Sequence, residues 1–231
     1  MNGIGVTIGE KHTFRDWGLM WSTASIPLPN VRTKTVEVPG MNGVLDLTEA
    51  INGEVCYANR SLTFTFTADC GMEQWHALYT QIASYCHGRR LKVVLDTDPS
   101  YYYEGRIAVQ STKDNNVYGD LTIAVDADPF KKEMESAAEE WLWDPFSFET
   151  GIIRGYKDLS APCTLQVIGT AAPVVPVITC SAALTLAFNG ETYQLKQGAN
   201  ENPDIVIREG ENEMQFIGSG TFTIDFRGCS L

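Results

Sequence analysis

Between Ser61 and Thr67 the chain reads SLTFTFT. Leu62, Phe64 and Phe66 fall on one side of any extended backbone, and three threonines fall on the other. No helix accommodates that period, and no water-exposed loop tolerates it, so this stretch is a half-buried strand. The same kind of segment recurs: GVTI, GLMWS, TKTVEV, VLDL, LKVVLD, YYYEGRIAVQ and YGDLTIAVDA are short and rich in β-branched and aromatic residues. Gly, Pro, Asn or Asp separates them. The turn residues of TKDNNVYGD predict a hairpin between the last two. The first half is therefore a β domain.

One segment departs from this rhythm. GMEQWHALYTQIASYCHGRR places Met72, Trp75, Leu78, Tyr79, Ile82, Tyr85 and Cys86 at helical spacing. Asp69 is the expected cap and Gly88 the expected stop, with His87, Arg89 and Arg90 placed to favour the negative end of the helix dipole. This predicts a single amphipathic helix covering one face of a sheet, its aromatic stripe serving as core rather than as a ligand pocket.

KKEMESAAEE, from Lys131, is charged and reads as a connection, either a short helix or a mobile stretch. WLWDPFSFETG then leads into a second strand-rich region: CTLQVIG, VVPVITC, ALTLAFNG, ETYQLKQ, DIVIREG, EMQFIG and TFTIDFRG. Seven short strands with regular turn signals predict a small β-sandwich. Asn189-Gly190 marks its clearest hairpin. The expected division is a first domain over residues 1–132, a linker over 133–150 and a second domain over 151–231. At 231 residues and 44% hydrophobic the chain has the material for two cores.

The net charge of −12, shared by both halves, argues against a phosphate-gripping surface. No apolar run approaches the roughly 18–20 residues that span a bilayer, and the N-terminal residues lack the pattern of a secretory signal. None of the six cysteines forms a CxxC pair and there are three histidines, so no zinc site and no cofactor is expected, and the cysteines are read as buried or free thiols.

Local chemical signatures are weak. Asp96 with Asp98, and Asp126 with Asp128, have the spacing that puts two carboxylates on one strand face, but neither continues as a calcium loop. Glu139, Glu140 and Asp144 could serve a glycosidase only if the fold set them across a cleft. His12, His76 and His87 accompany no nucleophile motif, and there is neither a Walker loop nor a dinucleotide fingerprint. No catalytic or metal residue is assigned. Trp141, near the domain junction, and Tyr193, in a strand, are candidates for stacking on a sugar ring.

The remaining feature is TKTVEVPGMNGVLDLTEA, residues 33–50, whose alternation breaks at a Pro-Gly-x-x-Gly turn and resumes. It predicts a two-stranded ribbon. Such a ribbon is marginal alone and presents unpaired edges, so a neighbouring copy that covers it would satisfy both deficits. On this reading Val36, Val38, Val44 and Leu45 contribute to a seam between subunits, and Pro39, Gly40 and Gly43 shape the bend.

The order HTFRDWGL, PNVRTKTVEVPGMNGVLDLTEA, YANRSLTFTF, one helix and ADPFKKE resembles the N-terminal domain of siphophage distal tail proteins. WLWDPFSFETG and the strands after it are similar to the start of their C-terminal domain. The resemblance covers nearly the whole chain and is strongest over residues 12–67. It implies a mainly β protein: a sandwich-like first domain with a helix and a protruding hairpin, then a galectin-like β-sandwich. It also implies a non-catalytic homo-hexameric ring at the tip of a virion tail, made in the host cytoplasm. That ring would join the tail tube protein to the baseplate hub and receptor-binding proteins, with DNA passing transiently through its channel and no membrane involved. A carbohydrate-binding module in host attachment is the second reading, and a hydrolase with scattered carboxylates the third.

Overall fold

The computed structural model describes residues 3–50, 53–112, 117–139 and 154–231. The chain divides into two compact units, Met1–Asp98 with Tyr102–Lys131 and Leu231, and Pro99–Tyr101 with Lys132–Ser230.

The first unit runs β1 (Val6–Ile8), β2 (Lys11–His12), α1 (Thr13–Trp17), β3 (Met20–Ser25), β4 (Thr35–Val36), β5 (Leu45–Asp46), β6 (Arg60–Asp69), α2 (Met72–Cys86), β7 (Arg90–Leu95), β8 (Asp98–Thr112) and β9 (Tyr118–Ala127). The short β10 (Lys131–Glu133) follows. One antiparallel sheet orders β2-β1-β7-β8-β9-β6-β3, and β4 pairs only with β5.

Leu62, Phe64 and Phe66 of β6 are fully buried, while Thr63, Thr65 and Thr67 on the other face are only partly covered. Ile107 and Val109 of β8 and Leu121, Ile123 and Val125 of β9 complete this face of the core. Each such side chain contributes about 1.5–3 kcal/mol on burial. Trp75, Ile82 and Cys86 of α2 are buried in the same core, and Leu78, Tyr79 and Tyr85 pack against it.

Three details differ from the sequence reading. Asp69 does not cap α2: it ends β6, opposite Tyr118, and Gly71 occupies the cap position with no side-chain bond. At the other end His87 is tied to β8, its Nδ1 accepting from the Val109 N–H at 3.0 Å, and Arg90 lies in β7, paired with Glu104 and Asp128. Strand pairing outbids local capping at both ends of the helix. The third difference is a second helix, α1, which is only five residues long. Its cap is the buried His12 ring, whose Nδ1 accepts from the Phe14 and Arg15 N–H groups at 3.2 and 3.0 Å. Nδ1 is thus the acceptor, so the ring proton sits on Nε2, 3.0 Å from the Asp96 carboxylate.

The second unit contains β11 (Leu159–Gly169), β12 (Val177–Cys180), β13 (Leu184–Phe188), β14 (Glu191–Leu195), β15 (Gly198–Glu201), β16 (Gly210–Asp225) and β17 (Cys229–Ser230). The sheet order is β14-β13-β16-β12-β15, with β11 also on β16. At the β13–β14 turn Asn189 and Gly190 both have positive φ, as a two-residue hairpin turn requires.

EMQFIG and TFTIDFRG are not two strands but one, β16. Its first part pairs with β13 and its last four residues with β12. Phe216 and Phe222 would lie about 20 Å apart on a straight strand, yet their rings stack at 3.6 Å. The strand therefore folds over between them, at Gly218, whose φ of 127° suits glycine. β16 thus serves both layers of a β-sandwich. DIVIREG forms no strand; Ile205 and Ile207 enter the core, and Ile207 makes a lone bridge with Val174. β15 carried no recognisable strand pattern.

The described part of KKEMESAAEE is not helical. After β10 it turns, and Ala137 is fully buried in the second core, its N–H bonded to the Phe226 carbonyl at 2.8 Å. Glu133 accepts from Arg154 and from the Gly228 N–H. These long-range bonds displace the local helical preference. All six cysteines are thiols, with Cys86 and Cys180 buried. The chain is mainly β, with a helix-bearing first unit, an exposed hairpin and a second β-sandwich.

Candidate functional site

The ribbon is built from its base outward. Asn30 accepts from the Ala58 N–H and Arg32 donates to the Cys56 carbonyl, both at 2.8 Å, while Val31 bridges Tyr57. Further out, the Lys34 N–H donates to Thr48 Oγ1 at 3.1 Å, and Thr48 donates through its hydroxyl and its N–H to Asp46 at 2.5 and 2.9 Å. Those bonds hold the Asp46 carboxyl below the usual carboxylate range, the hydroxyl bond being the larger cause. The Leu47 N–H closes the latch on the Lys34 carbonyl at 2.8 Å.

Beyond this latch the ladder is brief: Thr35 opposes Asp46 and Val36 opposes Leu45. Val38 and Val44 lie outside it, so the paired strands are shorter than TKTVEV and VLDL suggested. The tip turns at Val38-Pro39-Gly40-Met41, where the Met41 N–H reaches the Val38 carbonyl at 3.1 Å and Gly40 has φ 84°. Proline followed by a positive-φ glycine is the pattern of a type II turn. Gly43 also has positive φ.

Every residue from Asn30 to Asp46 is exposed. Val36, Val38, Val44 and Leu45 form an apolar display that their own unit leaves about half exposed. The sequence reading missed Val31 and Met41, which are exposed alongside them. Only burial distinguishes these two, because each is a single apolar residue without periodic partners.

The other candidates are not brought together. Asp96 accepts from the Gly5 N–H and faces His12, Asp98 pairs with Lys131, Asp128 pairs with Arg90, and Asp126 is exposed on β9. His76 lies exposed on α2. Among the described residues no group of three or more His, Cys, Asp or Glu is placed to hold a metal. Tyr193 is half-buried against the second core and its hydroxyl donates to Glu191 at 3.0 Å. Desolvation and then that carboxylate raise its pKa. Trp141, Glu140 and Asp144 lie outside the described residues. No helix among the described residues is long and apolar enough to cross a membrane.

The fold of this chain, a helix-bearing antiparallel sheet with an exposed ribbon followed by a small β-sandwich, is similar to that of a solved phage protein. The solved structure of the Dit protein (gp 19.1) of phage SPP1 matches 99% of this chain over 99% of its own, with a TM-score of 0.64 and 11% identity. That protein is described as a paradigm of the hub adsorption apparatus in phages infecting Gram-positive bacteria. No protein-family model and no curated protein matches the sequence.

Proposed function

We propose that this chain is a structural hub of a phage tail tip, acting by assembly and performing no catalysis. Six copies close a ring between the tail tube protein and the baseplate hub and receptor-binding proteins, and DNA passes through the ring. The first unit makes the ring, and the galectin-like second unit, which takes in the described residues 133–139, is the docking scaffold for the receptor-binding apparatus. The observation that carries this reading is the likeness to SPP1 Dit across both units and nearly the full length of both chains.

The exposed ribbon supplies the physical motive. Head-to-tail contact of one surface with a different surface on the next copy generates a ring when the rotation closes. An apolar ribbon left in water by its own unit is a suitable donor for that contact. The net charge of −12 agrees with a channel that DNA traverses without adhering. Native mass measurement and negative-stain microscopy of the purified full chain test the reading. Six-fold rings are expected; a monomer at every concentration speaks against it.

A further inference from the structure

A ring needs a receiving surface as well as a ribbon, and β3 has the properties of one. It pairs with β6 on one side and ends the sheet path on the other, so its second edge is open among the described strands. Natural edge strands are shielded by charge, by proline or by brevity. β3 has six residues, and from Trp17 to Val31 the chain carries no charged residue. Pro27 and Pro29 come after the strand rather than in it. Ser22 to Leu28 is exposed throughout.

Beside the start of this edge lies an apolar groove of about 530 Å³. Gly3, Ile4, Phe14, Met20, Trp21 and Thr97 line it, all within the first unit. Trp21 is fixed edge-on against Phe64 and Phe66, so the inner wall is rigid. Ile4 and Met20 stand exposed at the groove.

We infer that the open edge of β3, with this groove, receives the ribbon of a second copy of this chain. The inference rests on the ring reading and names the acceptor that reading lacks. Three observations select a second copy over another occupant. The ribbon is the longest unbroken exposed run among the described residues that also carries an apolar display. Its 17 residues, Asn30 to Asp46, approach the roughly 20–30 a side of a standard interface. Its strand β4 pairs only with β5, so it too has an edge to offer. Main-chain pairing of β4 on β3 extends the neighbour's sheet, and the groove takes apolar side chains from the ribbon. Donor and acceptor are different surfaces of one chain, so the contact is head-to-tail.

The test uses the full chain and two variants, Met20→Glu in the acceptor and Leu45→Glu in the donor. Both positions are exposed, so each variant should melt as the parent does. Mass photometry should find each variant alone monomeric where the parent forms rings. An equimolar mixture then has one sound donor and one sound acceptor per pair, and it should stop at dimers. Rings that survive Met20→Glu would overturn the assignment and leave the groove to some other occupant, such as a small apolar ligand or a tail partner. A mixture that stays monomeric would overturn it as well. A parent that never forms rings would defeat the ring reading itself, and this inference with it.

Discussion

Replacing Val44 and Leu45 together by serine should cripple assembly while leaving the monomer intact. Val36, Val38, Val44 and Leu45 are 42, 40, 51 and 44% exposed. Complete burial of such a side chain is worth about 1.5–3 kcal/mol, so covering the exposed half gives about 0.7–1.5 kcal/mol each. Four of them supply roughly 3–6 kcal/mol per seam. The double substitution removes about half of that, and at 1.4 kcal/mol per decade each seam weakens roughly 10- to 100-fold. Each subunit of a closed ring makes two seams, so the loss is felt twice. The monomer already covers the other half of each side chain, so by the same reckoning the double substitution costs the fold no more than about 1.5–3 kcal/mol and leaves it folded. Sedimentation velocity across a concentration series reads the first effect, and thermal melting of dilute protein reads the second. Rings that persist at the parental midpoint concentration would refute the argument. So would a monomer that no longer folds, which would show that the ribbon supports its own unit by more than this area allows.

Three further outcomes are expected. Gly218→Val places a β-branched residue at φ 127° with its Cβ 2.9 Å from Leu184 Cδ2; this should cost about 2–4 kcal/mol and lower the calorimetric transition of the second unit, whereas an unchanged thermogram would contradict the fold-over in β16. The Asp46 carboxyl is held below the usual range, so its contribution to the ribbon base is complete above that range and disappears as pH falls through the lowered value; the Thr48 amide should shift and exchange faster during acid titration by NMR, and an amide that stays constant to about pH 2 would refute the latch. Burial pushes the Cys86 thiol up to about 11, leaving roughly a thousandth as thiolate at pH 8. A disulfide reagent should therefore modify the exposed Cys56 first and reach Cys86 only on unfolding.

Much of the fold was legible because its signals are periodic. SLTFTFT announces both a strand and its buried face, and the stripe from Trp75 to Cys86 announces a helix lying on that strand's sheet. The ribbon was legible as a turn, since proline followed by glycine encodes a backbone shape within four residues. What escaped were features whose cause lies far away in the chain. α1 is shorter than two helical turns and has no periodicity to detect; it is held by a histidine ring whose other nitrogen faces Asp96, 84 residues on. The segment after Lys131 has a helical composition, yet Ala137 is drawn into a core completed by Phe226. TFTIDFRG and EMQFIG look like two strands around a glycine pair, and only the stacking of Phe216 on Phe222 shows that one strand bends through both.

The candidate site divides in the same way. The amino-acid order by itself determined that residues 33–50 would turn back on themselves and that apolar residues would flank the bend, because φ preferences and side-chain alternation act over a few neighbours. It also determined the acidic, uncharged-edge and β-rich character of the chain. Only the tertiary structure decided that the first unit leaves those apolar residues about half exposed, that β3 ends its sheet with an open edge, and that a groove lies beside it. Exposure is a property of everything that fails to pack on a residue, and no local pattern records that.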